Sequence, residues 1–310
     1  MKILISDKLQ DDGIKIFEDN GFEVIKKFTI TKEELKQEIG EYDGIVVRSR
    51  TKLTADVLEN AKNLKVIGRA GVGLDNVDRD KAAEMNIEVL NTPEAPAVSV
   101  AEFALGLMLS LARKISYADR TTHEAQWNKN ECLGFTLNGK KLGLVGFGNI
   151  AKHLAKISIA MGMDVGVYSR FSKGQVAIDE AKEIGCSIYT SVEDLLKDAQ
   201  IISLHLPSSP QTVNLINQER IKLMRKDAIL INTARGDLIE EEALLNALKN
   251  KEIAGAALDV YREEPLKNEG LINWKENLIL TPHIASQSIE NQTDAATMIA
   301  EKISDFLKNK

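Results

Sequence analysis

A glycine-rich turn in the middle of the chain constrains the fold most strongly. An apolar run at 142–145 ends at Gly146, and apolar residues then recur at helical spacing over 150–161. Gly146, Gly148 and Ala151 occupy the small positions of a G-x-G-x-x-A pattern. Such glycines let the backbone turn tightly and approach a pyrophosphate, which the amides at the helix N-terminus receive. The turn therefore predicts a dinucleotide-binding domain.

The end of the next strand pattern bears on which dinucleotide is bound. The strand pattern at 163–168 ends where an acidic residue normally binds the ribose 2′-hydroxyl of NAD. Here the chain has Ser169 and Arg170. A carboxylate would repel a 2′-phosphate, whereas a hydroxyl and an arginine can bind one. We expect NADP(H) to be preferred over NAD(H); the alternative is dual specificity, with Arg170 and Lys173 as solvated loop charges.

Length and composition favour a two-domain globular α/β protein. The chain has 310 residues, 44% of them hydrophobic, and a scattered net charge of −6, so no basic stripe indicates nucleic acid or an anionic membrane. The apolar run at 103–112 is too short to span a bilayer. The acidic N-terminal segment indicates a first strand rather than a signal peptide, so we expect a cytoplasmic protein. Cys132 and Cys186 lack the spacing of a zinc or redox motif, so we expect free thiols and no metal.

Strand and helix patterns alternate along the chain. This alternation predicts parallel sheets with helices on both faces. Prolines at 93 and 96 mark a domain junction, and a long helix is predicted over about 97–119. The helix is apolar nearly all round its middle, which favours a subunit interface. The predicted strands are 2–6, 22–28, 44–47, 65–68, 87–90, 142–145, 163–168, 201–204, 228–231, 254–258 and 278–280.

Several predicted strands end in polar residues, and ligands of parallel sheets gather beyond the carboxyl ends of the strands. In the first third of the chain, 48–50 offers two arginines and 71–73 offers closely approachable amides, which suits an anionic substrate. The alternative is that both arginines are ordinary surface charges. Later strand ends lead to His205-Leu206-Pro207, Thr233-Ala234-Arg235-Gly236-Asp237, Asp259 and Thr281-Pro282-His283.

These strand ends contain the groups that hydride transfer to a 2-oxo acid requires. Such a reaction needs a cation for the carboxylate and an acid for the developing alkoxide. Arg235 and His283 have these chemistries, and Glu264 can hydrogen-bond the imidazole and fix its tautomer. A single histidine at a strand end is more often structural, so these residues alone leave the role of His283 open.

Separated motifs along the chain point to a known family. They are 47–51, 68–78, the glycine turn at 146–151, 232–236, 258–265 and 281–285. In these motifs, and over essentially its whole length, the chain resembles the D-isomer-specific 2-hydroxyacid dehydrogenases. The resemblance implies two Rossmann-like domains: a flavodoxin-like substrate domain at 1–96 and 287–310, and a dinucleotide-binding domain inserted at 97–286. The last helix, predicted over 289–307, would cross back to the first domain.

The resemblance also implies roles for individual residues. Arg235 would bind the substrate carboxylate, with His283 as general acid/base and Glu264 as its partner, and Asp259 would meet the nicotinamide amide. The expected cofactor contacts are Gly146, Gly148, Asn149, Ile150, Ser169, Arg170, His205, Leu206, Pro207, Thr233, Ala234, Asp259 and Ala285. The expected substrate contacts are Arg48, Ser49, Arg50, Gly71, Val72, Gly73, Arg235 and His283.

Within the family, the first two motifs look most like those of D-3-phosphoglycerate dehydrogenases. This implies a role in serine biosynthesis, with Arg48 and Arg50 receiving the phosphate. Ser169 and Arg170 are more typical of glyoxylate and hydroxypyruvate reductases, which are the alternative; a nicotinamide-sensing binding protein is a remote one. The loop at 94–96 departs from the family's asparagine-containing pattern. We expect a homodimer, and we expect no feedback inhibition by serine because the chain shows no regulatory domain.

Overall fold

The computed structural model describes residues 1–169 and 174–309. Arg170 and Lys173, on which the prediction of cofactor selectivity depends, lie outside the described residues. The chain divides into two compact units, Met1–Pro96 with Ser286–Lys310 (unit 1) and Ala97–Ala285 (unit 2). Within the described ranges, no helix combines the length and apolar character needed to cross a membrane.

Unit 1 contains a parallel sheet whose strands are ordered β2-β1-β3-β4-β5. This is the flavodoxin-like order, in which helices cover both faces. Ile3, Leu4 and Ile5 are fully buried, as expected for a central strand covered on both sides. The strands are β1 (Lys2–Ile5), β2 (Glu23–Lys26), β3 (Gly44–Val47), β4 (Val66–Arg69) and β5 (Glu88–Asn91); the helices that follow them are α1 (Asp11–Asp19), α2 (Lys32–Glu38), α3 (Ala55–Leu58) and α4 (Arg79–Glu84).

Unit 2 contains a second parallel sheet, ordered β12-β11-β10-β9-β6-β7-β8. The order runs outward in both directions from β6 and β9, the arrangement of dinucleotide-binding domains. The two sheets confirm the predicted fold class. The strands are β6 (Lys141–Val145), β7 (Asp164–Tyr168), β8 (Ser187–Ile188), β9 (Ile201–Leu204), β10 (Ile229–Asn232), β11 (Gly255–Leu258) and β12 (Leu278–Leu280). The helices are α5 (Ala97–Ala112), α6 (Ile115–His123), α7 (Asn149–Ala160), α8 (Gln175–Ile184), α9 (Val192–Asp198), α10 (Gln218–Ile221), α11 (Glu241–Lys249) and α12 (Glu269–Asn273).

The long helix predicted over 97–119 is two helices, so that prediction was wrong. Lys114 separates α5 from α6 and adopts a left-handed backbone with φ of 52°. The carbonyl of Ala112, which a continuous helix would use internally, instead accepts the backbone N–H of Phe135 at 2.9 Å. A Cβ on Gly134 would lie 2.1 Å from that carbonyl oxygen, so glycine is needed for this approach. The segment at 134–135 therefore ends α5 through a tertiary contact, which the spacing of apolar residues along the helix cannot predict.

The last helix, α13 (Ile289–Lys308), returns to unit 1 and completes its core. Its N-cap residue Ser288 accepts the N–H of Asn291 at 3.2 Å. Alanine and isoleucine side chains recur on one face and pack on α1 and β4. A Cβ on Gly13 of α1 would lie 2.5 Å from the carbonyl oxygen of Ala296, so the two helices approach closely only because Gly13 has no side chain.

Candidate active site

The glycine turn lies at the carboxyl end of β6, where the strand order of unit 2 reverses. Gly146 has φ of +104°, and a Cβ there would lie 2.3 Å from the carbonyl oxygen of His205. Gly148 is the N-cap residue of α7, and no described heavy atom beyond its chain neighbours lies within 4 Å of where its Cβ would be. In the part of the chain described, no side chain caps the first amides of α7, those of Asn149 and Ile150. This geometry fits a pyrophosphate at the helix N-terminus.

The segment that carries Arg235 is shaped by the side chain of Asn232 at the end of β10. Asn232 is fully buried, donates from Nδ2 to the carbonyl of Arg235 at 2.9 Å, and accepts the N–H of Ala234 at 3.1 Å. The hydroxyl of Thr233 is buried without a hydrogen-bond partner among the described residues. Because buried polar atoms are normally paired, the unpaired Thr233 hydroxyl fits a bound cofactor.

A close backbone contact joins the Arg235 segment to the loop after β11. A Cβ on Gly236 would lie 1.9 Å from the carbonyl carbon of Tyr261, so only glycine allows this packing. The backbone N–H of Tyr261 in turn donates to Glu264 Oε1 at 3.2 Å. Tyr261 therefore connects the loop of the predicted carboxylate-binding arginine with the loop of the predicted acid–base pair.

His283 and Glu264 form the pair that the sequence predicts. His283 Nδ1 lies 2.8 Å from Glu264 Oε2, and the two side chains are 49% and 39% exposed, so Nε2 is the ring nitrogen available to a substrate. The backbone of His283 is left-handed, with φ of 54°. Its N–H donates to the carbonyl of Thr281 at 3.0 Å, and the Tyr261 hydroxyl donates to the same carbonyl at 2.7 Å. Burial raises the pKa of Tyr261 to about 12, so the hydroxyl stays a donor at physiological pH.

Asp259 holds the segment that carries His283. Its carboxylate is fully buried; Oδ1 accepts the N–H of Ile284 at 2.9 Å and the hydroxyl of Thr281 at 2.6 Å. Oδ2 accepts the N–H of Ala285 at 2.9 Å. The structure therefore gives Asp259 a positioning role that the sequence did not predict. Its contact with a nicotinamide amide stays a prediction.

The remaining predicted cofactor contacts lie near the ends of β7 and β9. His205 Nε2 lies 2.9 Å from the hydroxyl of Ser203. Burial lowers the pKa of His205 to about 4, so the ring is neutral at physiological pH. Ser169 and Leu206 are partly buried and Pro207 is exposed. These positions leave the NADP(H) preference as a prediction.

In unit 1, the loop that contains the predicted substrate contacts at 48–50 is held from two sides. Asp7, 4% exposed at the end of β1, accepts the N–H groups of Arg48 at 2.6 Å and Thr51 at 3.1 Å. Asn76 donates from Nδ2 to the carbonyls of the same two residues, at 2.7 and 2.6 Å. Sequence reasoning missed both residues, although β1 and β3 are neighbouring strands and Asn76 lies within a quoted motif.

The two arginines of this loop have different partners. Arg50 Nε lies 3.0 Å from Asp7 Oδ1, and its guanidinium also donates to the carbonyl of Ile30 at 3.1 Å. Arg48 donates to Gln292 Oε1, and no carboxylate in 1–169 or 174–309 pairs with its guanidinium. Burial lowers the pKa of Arg48. Arg48 is therefore the cation of this loop whose charge is not already matched.

The glycine segment after β4 lies beside that loop, at the carboxyl edge of the unit 1 sheet. Gly71 has φ of +140° and donates its N–H to the hydroxyl of Thr92 at 2.8 Å. The carbonyl of Val72 accepts Nδ2 of Asn91 at 2.7 Å. The predicted substrate contacts that are at least partly exposed at this edge are Arg48, Ser49, Arg50, Gly71, Val72 and Gly73.

Comparisons with known proteins agree with this geometry. Residues 105–285 match the model of the family described as D-isomer specific 2-hydroxyacid dehydrogenase, NAD binding domain. The chain is 44% identical over 308 residues to D-3-phosphoglycerate dehydrogenase of Methanocaldococcus jannaschii, covering 99% of this chain and 58% of that protein. It is 40% identical over 308 residues to hydroxypyruvate reductase of Thermotoga maritima, covering 97% of both. The chain spans little more than half the length of several D-3-phosphoglycerate dehydrogenases that it matches.

Solved structures show the same similarity. An acyclic imino acid reductase (Bsp5), in complex with NADPH and D-Arg, superposes with a TM-score of 0.88 at 30% identity, covering 100% of this chain and 98% of that one. D-mandelate dehydrogenase of Rhodotorula graminis gives a TM-score of 0.89 at 26% identity, covering 98% and 94%.

Proposed function

Because the chain belongs to the D-isomer specific 2-hydroxyacid dehydrogenase family, we propose that it transfers a hydride between a nicotinamide cofactor and a small D-2-hydroxy acid. The observation that carries this proposal is the 2.8 Å contact of His283 with Glu264. The Tyr261 backbone, which bonds Glu264, also packs against the segment of Arg235. Arg235, the proposed cation for the substrate carboxylate, and His283, the proposed acid for the alkoxide, are thus connected through Tyr261 and Glu264.

Each side chain has a distinct task in the proposed reaction. Arg235 binds the substrate carboxylate, and its planar guanidinium can make two parallel hydrogen bonds. During ketone reduction His283 Nε2 donates a proton to the oxygen on C2, and during alcohol oxidation it takes that proton back. Glu264 accepts from Nδ1, fixes the tautomer and stabilises the protonated ring. The nicotinamide cofactor, when bound, supplies or receives the hydride.

The cofactor proposed is NADP(H), either preferred or used together with NAD(H). The uncapped amides of Asn149 and Ile150 and the unpaired Thr233 hydroxyl support a dinucleotide in unit 2. The absence of an acidic residue at Ser169 and Arg170 supports tolerance of a 2′-phosphate. The structurally similar acyclic imino acid reductase was solved in complex with NADPH.

The substrate proposed is D-3-phosphoglycerate and its 2-oxo product, in serine biosynthesis. The half-buried charge of Arg48 suits a phosphate, and several relatives are D-3-phosphoglycerate dehydrogenases. Arg50, paired with Asp7, supports the loop rather than the phosphate.

The location proposed is the cytoplasm. Cys132 and Cys186 are free thiols in the described structure, and this supports a reducing compartment.

A second candidate is a hydroxypyruvate or glyoxylate reductase. It is favoured by the 40% identity to the Thermotoga maritima hydroxypyruvate reductase over 97% of both chains. The chemistry at His283 and Arg235 would be the same, but no phosphate would be bound. The role of Arg48 therefore separates the two candidates.

Initial rates distinguish these proposals. NADPH and NADH oxidation are followed in parallel on 3-phosphohydroxypyruvate, hydroxypyruvate and glyoxylate. We expect kcat/KM to be highest for the phosphorylated substrate, by about 100-fold or more, and higher with NADPH. Equal or faster turnover of hydroxypyruvate or glyoxylate would favour the reductase. Comparable or better kcat/KM with NADH would contradict the NADP(H) preference.

We also propose a homodimer. Large apolar side chains are exposed on α5, α6 and the loop after them, and burying them between two copies of the chain would be favourable. They are Val98, Ile115, Trp127 and Leu133.

A further inference from the structure

The guanidinium of Arg48 is held by a neutral side chain. Gln292, in the first turn of α13, accepts a hydrogen bond from Arg48 through Oε1. Its Nε2 donates to Gln287 Oε1 at 3.0 Å. The two contacts use opposite ends of the amide, and the oxygen of Gln292 must face Arg48 because a guanidinium can only donate hydrogen bonds.

No acidic side chain forms an ion pair with the Arg48 guanidinium in the part of the chain that the structure describes. Asp7, the nearby carboxylate that raises the pKa of Arg48, pairs with Arg50 Nε at 3.0 Å and accepts backbone N–H groups of the loop. The acidic side chains near Gln292 on α13, Glu290 and Asp294, are exposed and make no ion pair with Arg48. Burial has the larger effect and lowers the pKa of Arg48, the direction expected for a partly desolvated cation.

A partly buried cation without a counter-charge is costly in the free protein and is stabilised when an anion binds. The planar fork of arginine matches phosphate oxygens, and a neutral hydrogen-bond acceptor can orient that fork without reducing its charge. A carboxylate at the same position would orient the fork equally well, but it would compete with the ligand.

We propose that Gln292 is a specificity-determining residue: its neutral amide orients Arg48 and reserves the guanidinium charge for the phosphate of the substrate. This inference rests on the proposed function. Gln292 is a positioning residue, because it acts on the substrate through Arg48.

The test compares Gln292→Glu with the unaltered enzyme on 3-phosphohydroxypyruvate and hydroxypyruvate. A glutamate would pair with Arg48 and repel the phosphate, so KM for the phosphorylated substrate should rise by about 10-fold or more. KM for hydroxypyruvate should change by less than about 3-fold, and kcat for both by a similarly small factor. Gln292→Met, which removes the acceptor without adding charge, should raise KM for the phosphorylated substrate by about 3-fold.

Gln287→Glu is the matched control, since it adds the same charge to a side chain that contacts Gln292 but not Arg48. An equal rise in KM for Gln287→Glu would mean general repulsion and would overturn the role of Gln292. If the unaltered enzyme prefers the phosphorylated substrate and neither Gln292 variant changes the ratio of the two KM values, the inference fails while the proposed function stands. If the Gln292→Glu variant does not fold, the ratio of the two KM values is measured in the Gln292→Met variant instead.

A different result would be an unaltered enzyme with no preference for the phosphorylated substrate. The proposed function would then fail, and the inference would be tested separately with inorganic phosphate as a competitive inhibitor of hydroxypyruvate reduction. The inhibition constant should rise by about 10-fold in Gln292→Glu but not in Gln287→Glu. An unchanged inhibition constant would overturn the inference as well.

Discussion

The position of His283 depends on groups that are not themselves reactive. Its left-handed backbone, with φ of 54°, is unfavourable for a residue with a side chain. The Asp259 carboxylate bonds the two amides that follow His283, and Tyr261 bonds the Thr281 carbonyl that precedes it. The surrounding hydrogen bonds therefore fix the imidazole before any substrate arrives.

The roles of His283 and Arg235 can be tested by substitution. His283→Ala and Arg235→Ala should each lower kcat/KM by about 100-fold or more, because each removes an interaction with charge in the transition state. His123→Ala, at an exposed histidine in the same unit, is the control and should be neutral. Steady-state kinetics gives the comparison, and an alanine variant with near-normal kcat/KM would refute the assigned role.

A second prediction at this scale concerns His205 and the pH dependence of stability. Burial lowers its pKa from 6.5 to about 4, so the unfolded chain binds more protons between these values. This contribution to stability is complete above about pH 6.5 and is lost as the pH falls towards 4. His205→Asn should lose about 2 kcal/mol less unfolding free energy than the unaltered protein between pH 7 and 5.

Urea unfolding at the two pH values measures this difference. Parallel losses in the two proteins would show that His205 does not contribute to the pH dependence.

Between elements, glycines set the distances at which neighbouring loops pack. Gly236→Ala would place a Cβ 1.9 Å from the carbonyl carbon of Tyr261, a backbone atom that cannot rotate away. The Arg235 segment must then move, and we expect kcat/KM to fall by about 100-fold, since small displacements of positioning groups cost this much. Gly106→Ala is the matched control: no described heavy atom lies within 4 Å of its Cβ position in α5.

The control should keep full activity and gain up to about 1 kcal/mol of stability, because alanine favours helix. Kinetics and urea unfolding of both variants test the contrast, and an active Gly236→Ala enzyme would contradict it.

Periodicity and turn chemistry predict which elements form, but not every contact between them. The apolar run before Gly146 and the polar strand ends predicted the sheets and the edge on which the His283–Glu264 pair lies. The break at Lys114 could not be predicted, because it depends on Phe135 bonding the carbonyl of Ala112. Asp7 was missed for the same reason, because its partners Arg48 and Thr51 lie in the loop after a neighbouring strand and far from it in sequence.

For the whole molecule, the exposed apolar side chains of unit 2 predict self-association. Trp127 is 85% exposed and Leu133 is 82% exposed, and burying such side chains in an interface is favourable. Light scattering should give twice the mass of one chain, and Trp127→Ser with Leu133→Ser should lower it towards the monomer. Met161→Ser, at a less exposed apolar site on unit 2, is the control. A monomeric mass for the unaltered protein would refute the dimer.

The two segments that form unit 1, Met1–Pro96 and Ser286–Lys310, are synthesised at different times, because all of unit 2 lies between them in the sequence. Helix α13, which completes the core of unit 1, belongs to the later segment. When β1 to β5 leave the ribosome, the apolar faces of α1 and β4 that α13 covers are still exposed to solvent. All strands of unit 2 emerge before α13 does. During synthesis, unit 2 should therefore fold before unit 1, because unit 1 cannot complete its core until α13 has been synthesised. Until then, the first sheet is the segment most exposed to chaperones and proteases.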